Sequence, residues 1–215
     1  MAKPYSPEIS SFIETVLKED DWNYLFNEKW GMFQFNLSLE KINRISYYVS
    51  VSLDGFTIRA EAPVNVPLGQ AETVCRIKDY IHMVNRNLRQ GHLEMHPNTG
   101  EILYRCFTDC DGIGMSPDLV RNSICAAASA FELYGDGFMK ILFARAGAVE
   151  AFMACEEEIG RETGEEIAEK CTSSGKEDVL ELLTELVEHF TPKISVKEIP
   201  GSGKGLENNT DGGQD

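Results

Sequence analysis

The chain has 215 residues, 42% hydrophobic and 26% charged, which are proportions of a globular protein and exclude wholesale disorder. Its 35 acidic and 20 basic residues leave a net charge of −15, which argues against nucleic acid or an anionic membrane surface as the main partner. No apolar run approaches the roughly 18 residues of a membrane span, residues 1–8 lack a secretory pattern, and six cysteines are too sparse for a disulfide scaffold.

These features predict a soluble, cytoplasmic protein of one domain plus an appendage, or of two small domains. In chain order, Ile9, Phe12, Ile13, Val16 and Leu17 follow the stripe of an amphipathic helix. Ser6 is its expected N-cap, Pro7 suits the first helical position, and Asp20-Asp21 closes it. The apolar period then changes from 3.6 to 2. Phe33, Phe35 and Leu37 alternate with Gln34, Asn36 and Ser38, and Ile45, Tyr47, Val49, Val51 and Leu53 alternate with Ser46, Tyr48, Ser50 and Ser52. Asp54-Gly55 before Phe56, Ile58 and Ala60 predicts a hairpin turn with both residues at positive φ. One apolar and one polar face per strand describes an antiparallel sheet covered on one side.

Val74, Ile77, Ile81, Val84 and Leu88 form a second helical stripe, with Gly91 expected just past its end. A second hairpin spans His92–His96 and Glu101–Phe107 around Pro97-Asn98-Thr99-Gly100. Ser116-Pro117-Asp118 repeats the earlier cap chemistry and opens a helix carrying Val120, Ile124, Ala127, Ala128 and Phe131. Gly135 and Gly137 each cost about 1 kcal/mol in a helix interior, so a break or kink is expected there. A further helix is expected over Ala148–Glu158. The order α-βββ-α-ββ-α plus C-terminal helices predicts an α+β fold with helices on one face of the sheet.

Residues 156–190 hold 12 Asp/Glu and 3 Lys/Arg, a net of −9. That shift, with a second after Pro200 where Leu206 is the single large apolar residue, suggests three parts: an α+β domain over 1–158, an acidic helical extension over 159–192 and a disordered tail over 193–215. Within the extension, Ser174 and Glu177 form a capping box, and Val179, Leu183, Leu186 and Phe190 make an apolar stripe. A helix of that length is marginal alone, so the stripe is expected to dock on the core or a second copy, or else to hold a partner.

Several of these residues carry a resemblance. Trp22-Asn23-Tyr24 follows the first helix, Gly55 sits in the meander, and Val66-Pro67 precedes the second helix with Asn85, Leu88 and Gly91. Gly100-Glu101-Ile102-Leu103-Tyr104-Arg105, Ser116-Pro117, Phe131 and Tyr134 follow. Over residues 7–158 this pattern is similar to the bacterial YbjN family of sensory transduction regulators. The resemblance implies the fold of type III secretion chaperones and brings no catalytic residues.

Few residues are arranged for chemistry. His92, Glu94 and His96 share one face of a predicted strand and are the candidate metal ligands. Residues four apart on a strand lie about 13 Å apart, so the three cannot hold one ion. Cys106 and Cys110 are not spaced as C-x-x-C, and Cys106 is expected in the core. Asp109-Cys110-Asp111-Gly112 lacks the ligand spacing of a calcium loop and is expected to be a turn. Gly201–Gly205 resembles a phosphate loop in composition alone. No serine or cysteine stands in a nucleophile elbow. The sequence therefore predicts no cofactor and no catalytic residue.

The expected function is a non-enzymatic protein-binding module: a secretion-chaperone-like regulator or accessory chaperone, with a protein partner, forming a homodimer. Acidity favours basic clients. The alternative is a small-ligand or metal-responsive sensor domain using the polar sheet face around His92 and His96.

Overall fold

A computed structural model describes residues 4–112 and 114–173, with side chains to residue 163. The capping box at Ser174 and Glu177, the stripe Val179, Leu183, Leu186 and Phe190, Gly201–Gly205 and the tail 193–215 lie outside the described residues. The fold is α+β. Its elements are α1 (Pro7–Glu19), β1 (Leu25–Asn27), β2 (Met32–Leu39), β3 (Asn43–Val51), β4 (Gly55–Asn65), α2 (Ala71–Asn85), β5 (His92–Met95), β6 (Glu101–Asp109), α3 (Pro117–Ala144) and α4 (Ala148–Ser173). The strands form one antiparallel sheet in the order β1-β2-β3-β4-β6-β5. Two units divide the chain at Gly164/Glu165, and the sheet belongs to the first. The compositional shift at 156–158 falls inside α4, which runs through it.

The helix caps follow the sequence. Ser6 and Ser116 accept hydrogen bonds from Ile9 N–H (3.3 Å) and Leu119 N–H (3.1 Å), and each precedes a proline. The sheet register also follows the alternation. Phe33, Phe35, Val49, Val51, Ile58 and Ala60 are buried, whereas Ser50 and Asn36 are exposed and Gln34 is half-buried. The buried face meets Ile13 and Leu17 of α1, Ile77 and Ile81 of α2, and Ile124 and Phe131 of α3 in one core. Five tyrosines are tied into this core by hydroxyl donors. Tyr5 donates to Glu28 O (2.9 Å), Tyr47 to Ile124 O (2.9 Å), Tyr80 to Tyr134 O (2.7 Å), Tyr104 to Gln90 O (2.7 Å) and Tyr134 to Glu156 (2.8 Å).

Four local expectations are corrected. First, a short strand precedes the meander: β1 is three residues long, too short for a period to be read, and it is fixed by Phe26 stacking on Phe33 (4.4 Å). Second, Leu53 leaves the strand and is 72% exposed. The turn centres on Leu53-Asp54, closed by Ser52 N–H to Gly55 O (2.9 Å), and neither Asp54 nor Gly55 has positive φ. Gly55 is needed instead for proximity, because a Cβ there would lie 2.2 Å from Thr108 O.

Third, α2 ends at Asn85, and Gly91, at φ +65°, opens β5 instead of ending the helix. Leu88 still packs against the core. Fourth, α3 runs unbroken through Gly135 and Gly137. A Cβ at Gly137 would lie 2.0 Å from the Tyr80 hydroxyl, and one at Gly135 would lie 3.2 Å from Ile42 Cβ. Close packing of α2 and of the β2–β3 connection offsets the glycines' cost in helix propensity.

Candidate functional site

The sheet has two edges, and they are built differently. At the β5 edge, His96 N–H donates to Glu101 O (2.8 Å). Alternation therefore turns the backbone N–H and C=O of Leu93 away from β6. Both are taken by one side chain: Asn85 Oδ1 accepts from Leu93 N–H (2.7 Å), and Asn85 Nδ2 donates to Leu93 O (2.9 Å). The last residue of α2 thus stands in for a neighbouring strand.

At the other edge, Val51 N–H donates to Gly31 O (2.9 Å). That bond fixes the odd-numbered residues of β2 toward β3 and turns the backbone of Met32, Gln34, Asn36 and Ser38 outward. Met32 and Gln34 meet Asn27 and Leu25 of β1. There β1 ends. Among the described residues no strand continues along Asn36–Leu39, and the outward N–H and C=O of Asn36 and Ser38 have no backbone partner there. Beside this open stretch lies a concavity of about 430 Å³ whose lining includes Tyr24, Leu25, Arg44 and Tyr48. Leu25 is 73% exposed there.

The face opposite the core is polar, and among the described residues no helix covers it. The register places Gln34, Tyr48, Arg59, Arg105 and His92 in one row across five strands. The Arg59 guanidinium sits over the Tyr48 ring at 4.9 Å. Of the sequence-predicted ligands, His92 and Glu94 come together at 3.6 Å, with Arg105 3.5 Å from Glu94. His96 is not part of that cluster. It lies past the end of β5, where its Nδ1 is 2.9 Å from Thr99 Oγ1. Among the described residues no group of three or more His, Cys, Asp or Glu is placed to hold a metal ion.

Cys106 is buried and takes a hydrogen bond from Gln90 Nε2 (3.3 Å), while burial pushes the Cys110 thiol up. Asp109 closes its turn by accepting from Asp111 N–H (2.9 Å). Burial also raises Tyr47, Tyr80, Tyr104 and Tyr134 well above the ordinary phenol value, so they are donors at neutral pH. Among the described residues no helix is long and apolar enough to cross a membrane.

Two features escaped the sequence reading. Asn85 was singled out only as part of a resemblance, and its bond to Leu93 gave no signal, because a polar residue at a helix end is ordinary. The Arg59–Arg105 pair was within reach, since both occupy polar positions of alternating runs, but strand order had to be known to set them opposite. No family model matches the chain, and no curated protein matches it.

Proposed function

We propose that the protein is a non-enzymatic protein-binding module, a secretion-chaperone-like regulator or accessory chaperone, which takes an extended client segment by strand addition along Asn36–Leu39. The observation that supports this is the unequal treatment of the two edges. Asn85 closes one at Leu93, and the other presents Asn36 and Ser38 unpaired. Unpaired edge groups are the recognition element of β-augmentation, and nearby side-chain pockets give it selectivity. The tyrosine-lined concavity beside Leu25 would receive alternate side chains of the client. The net charge of −15 steers basic segments toward the protein. The resemblance of residues 7–158 to the YbjN family agrees with such a role.

Ser38→Pro tests the reading. Proline removes an N–H that points away from β3, so the fold keeps its ladder while the edge loses a donor. Affinity capture from the native cell with the full chain, followed by mass spectrometry, should enrich one polypeptide that Ser38→Pro no longer retains. Equal capture by both proteins would show that the edge is not the binding element. The homodimer expected from the sequence would compete if it paired β2 with β2, because both uses need the same backbone groups. In that case Ser38→Pro would halve the mass seen by light scattering.

A further inference from the structure

On the open face, Arg59 of β4 and Arg105 of β6 are direct cross-strand partners. Like charges set opposite one another on a sheet repel, and an acidic chain has ample carboxylates to neutralise them. Each arginine has one carboxylate beside it, Glu61 at 2.5 Å from Arg59 and Glu94 at 3.5 Å from Arg105. The buried Arg59 Nε has no partner among the described residues. Other arginines of the fold differ: Arg121 donates twice to Asp20 (2.8 and 2.7 Å), and Arg76 donates to Arg145 O (2.7 Å) and Glu72.

The register explains which side of the pair is unfilled. Glu61 and Glu94 both flank Leu103, one row to one side of the two arginines. Ser50 and Thr57 are cross-strand partners one row to the other side. On that hydroxyl side a concavity of about 410 Å³ opens, lined by Met32, Tyr48, Ser50, Thr57, Arg59 and Arg105 and by no carboxylate. Stacking on Tyr48 holds one guanidinium in place. The site thus offers two planar forks, hydroxyl donors and one apolar wall.

We propose that this concavity binds a small organic oxyanion, with its carboxylate or phosphate group between Arg59 and Arg105, hydroxyl donors from Ser50 and Thr57, and its apolar part against Met32. Guanidinium pairs recognise both oxyanions in bidentate fashion, and the apolar wall adds a preference for a carbon-bearing body. The inference does not rest on strand addition, which uses the β2 backbone at Asn36 and Ser38, although Tyr48 borders both concavities.

The test uses the full chain with malonate and inorganic phosphate as probes, against sodium chloride of equal ionic strength. At least one probe should raise the melting temperature saturably and shift the Nε–H resonances of two arginines. The probe with the larger effect tells a carboxylate ligand from a phosphate one. Arg59→Gln/Arg105→Gln should weaken binding by at least about tenfold, with Arg89→Gln unchanged. Should the double variant fail to fold, Arg105→Lys keeps the charge, loses the fork and should weaken binding in the same direction. The proposal is overturned if neither probe saturates beyond the chloride control. It is equally overturned if the response survives in the arginine variants.

Discussion

The β5 edge and the β2 edge of this sheet face the same physical problem with opposite results. An exposed edge carries unpaired N–H and C=O groups that invite another strand. At β5 the neighbouring helix ends in Asn85, whose carboxamide meets both free groups of Leu93. At β2 the covering strand stops at the level of Gln34 and leaves Asn36 and Ser38 without a strand partner among the described residues. Closure costs the fold one well-placed amide. Asn85 meets the groups of Leu93, one of the two outward residues of β5, whereas Asn36 and Ser38 of β2 have no such side chain, and that difference reads as a feature with a use.

The contrast depends on the register, which is where the largest effect lies. A one-residue slip would exchange inward and outward groups on β2 as well as every side chain on β3. Val51→Asp places a charge at a position 6% exposed and should unfold the domain, whereas Ser50→Asp, on the open face, should be nearly silent in a melting curve. Equal losses would remove the basis for assigning Ser38 outward.

Proline on adjacent positions of β2 sharpens the same assignment. Leu37 pairs with Ile45 through its backbone, so Leu37→Pro should cost about 3 kcal/mol or more. Ser38→Pro should cost less than about 1 kcal/mol by chemical denaturation. At the opposite edge, Asn85→Ala leaves the Leu93 groups unmet and should cost about 1–3 kcal/mol. It should also give a light-scattering mass that rises with concentration, because the second edge is then open. An unchanged mass would mean that Asn85 supports stability only.

A small effect at neutral pH that grows in base concerns Tyr104, whose hydroxyl donates to Gln90 O in the connection leading into β5. Burial raises its pKa in the folded state, so its contribution is complete below the unfolded tyrosine value near 10 and is lost as pH rises above it. Unfolding free energy should fall above about pH 10 by roughly 1.4 kcal/mol per pH unit for each such tyrosine. Tyr104→Phe should remove one proton's worth of that slope while costing only about 1 kcal/mol at pH 7.

Much of the architecture was written in local patterns. The stripe Ile9–Leu17, the two Ser-Pro caps and the alternation around Val49 each act within a few residues, and the structure follows them. Two of the misreadings have a common cause. Gly137 reads as a helix breaker until Tyr80 is known to lie against it, and Gly55 reads as a positive-φ residue until Thr108 O is placed beside it. Both are contacts between distant segments, invisible to a window along the chain. The candidate site was less legible for the same reason. His92 and Glu94 share a strand and were found together, whereas Arg59 faces Arg105 across 46 positions of sequence, and Asn85 reaches Leu93 only after the chain has turned back.

The close fit of Tyr80 against Gly137 also sets an order on how this protein could change. Alanine is ordinarily the better helix former, by about 1 kcal/mol, yet here its methyl group would sit 2.0 Å from the Tyr80 hydroxyl and 2.3 Å from Cζ. Removing the hydroxyl alone would not make room, so Tyr80→Phe cannot rescue Gly137→Ala, and only a shorter side chain at 80 can. The two positions behave as one heritable unit: the smaller residue must arrive at 80 before the larger one is admitted at 137. A lineage that took the steps in reverse would pass through an unstable intermediate, which makes this stretch of α3 a place where substitution history depends on sequence order.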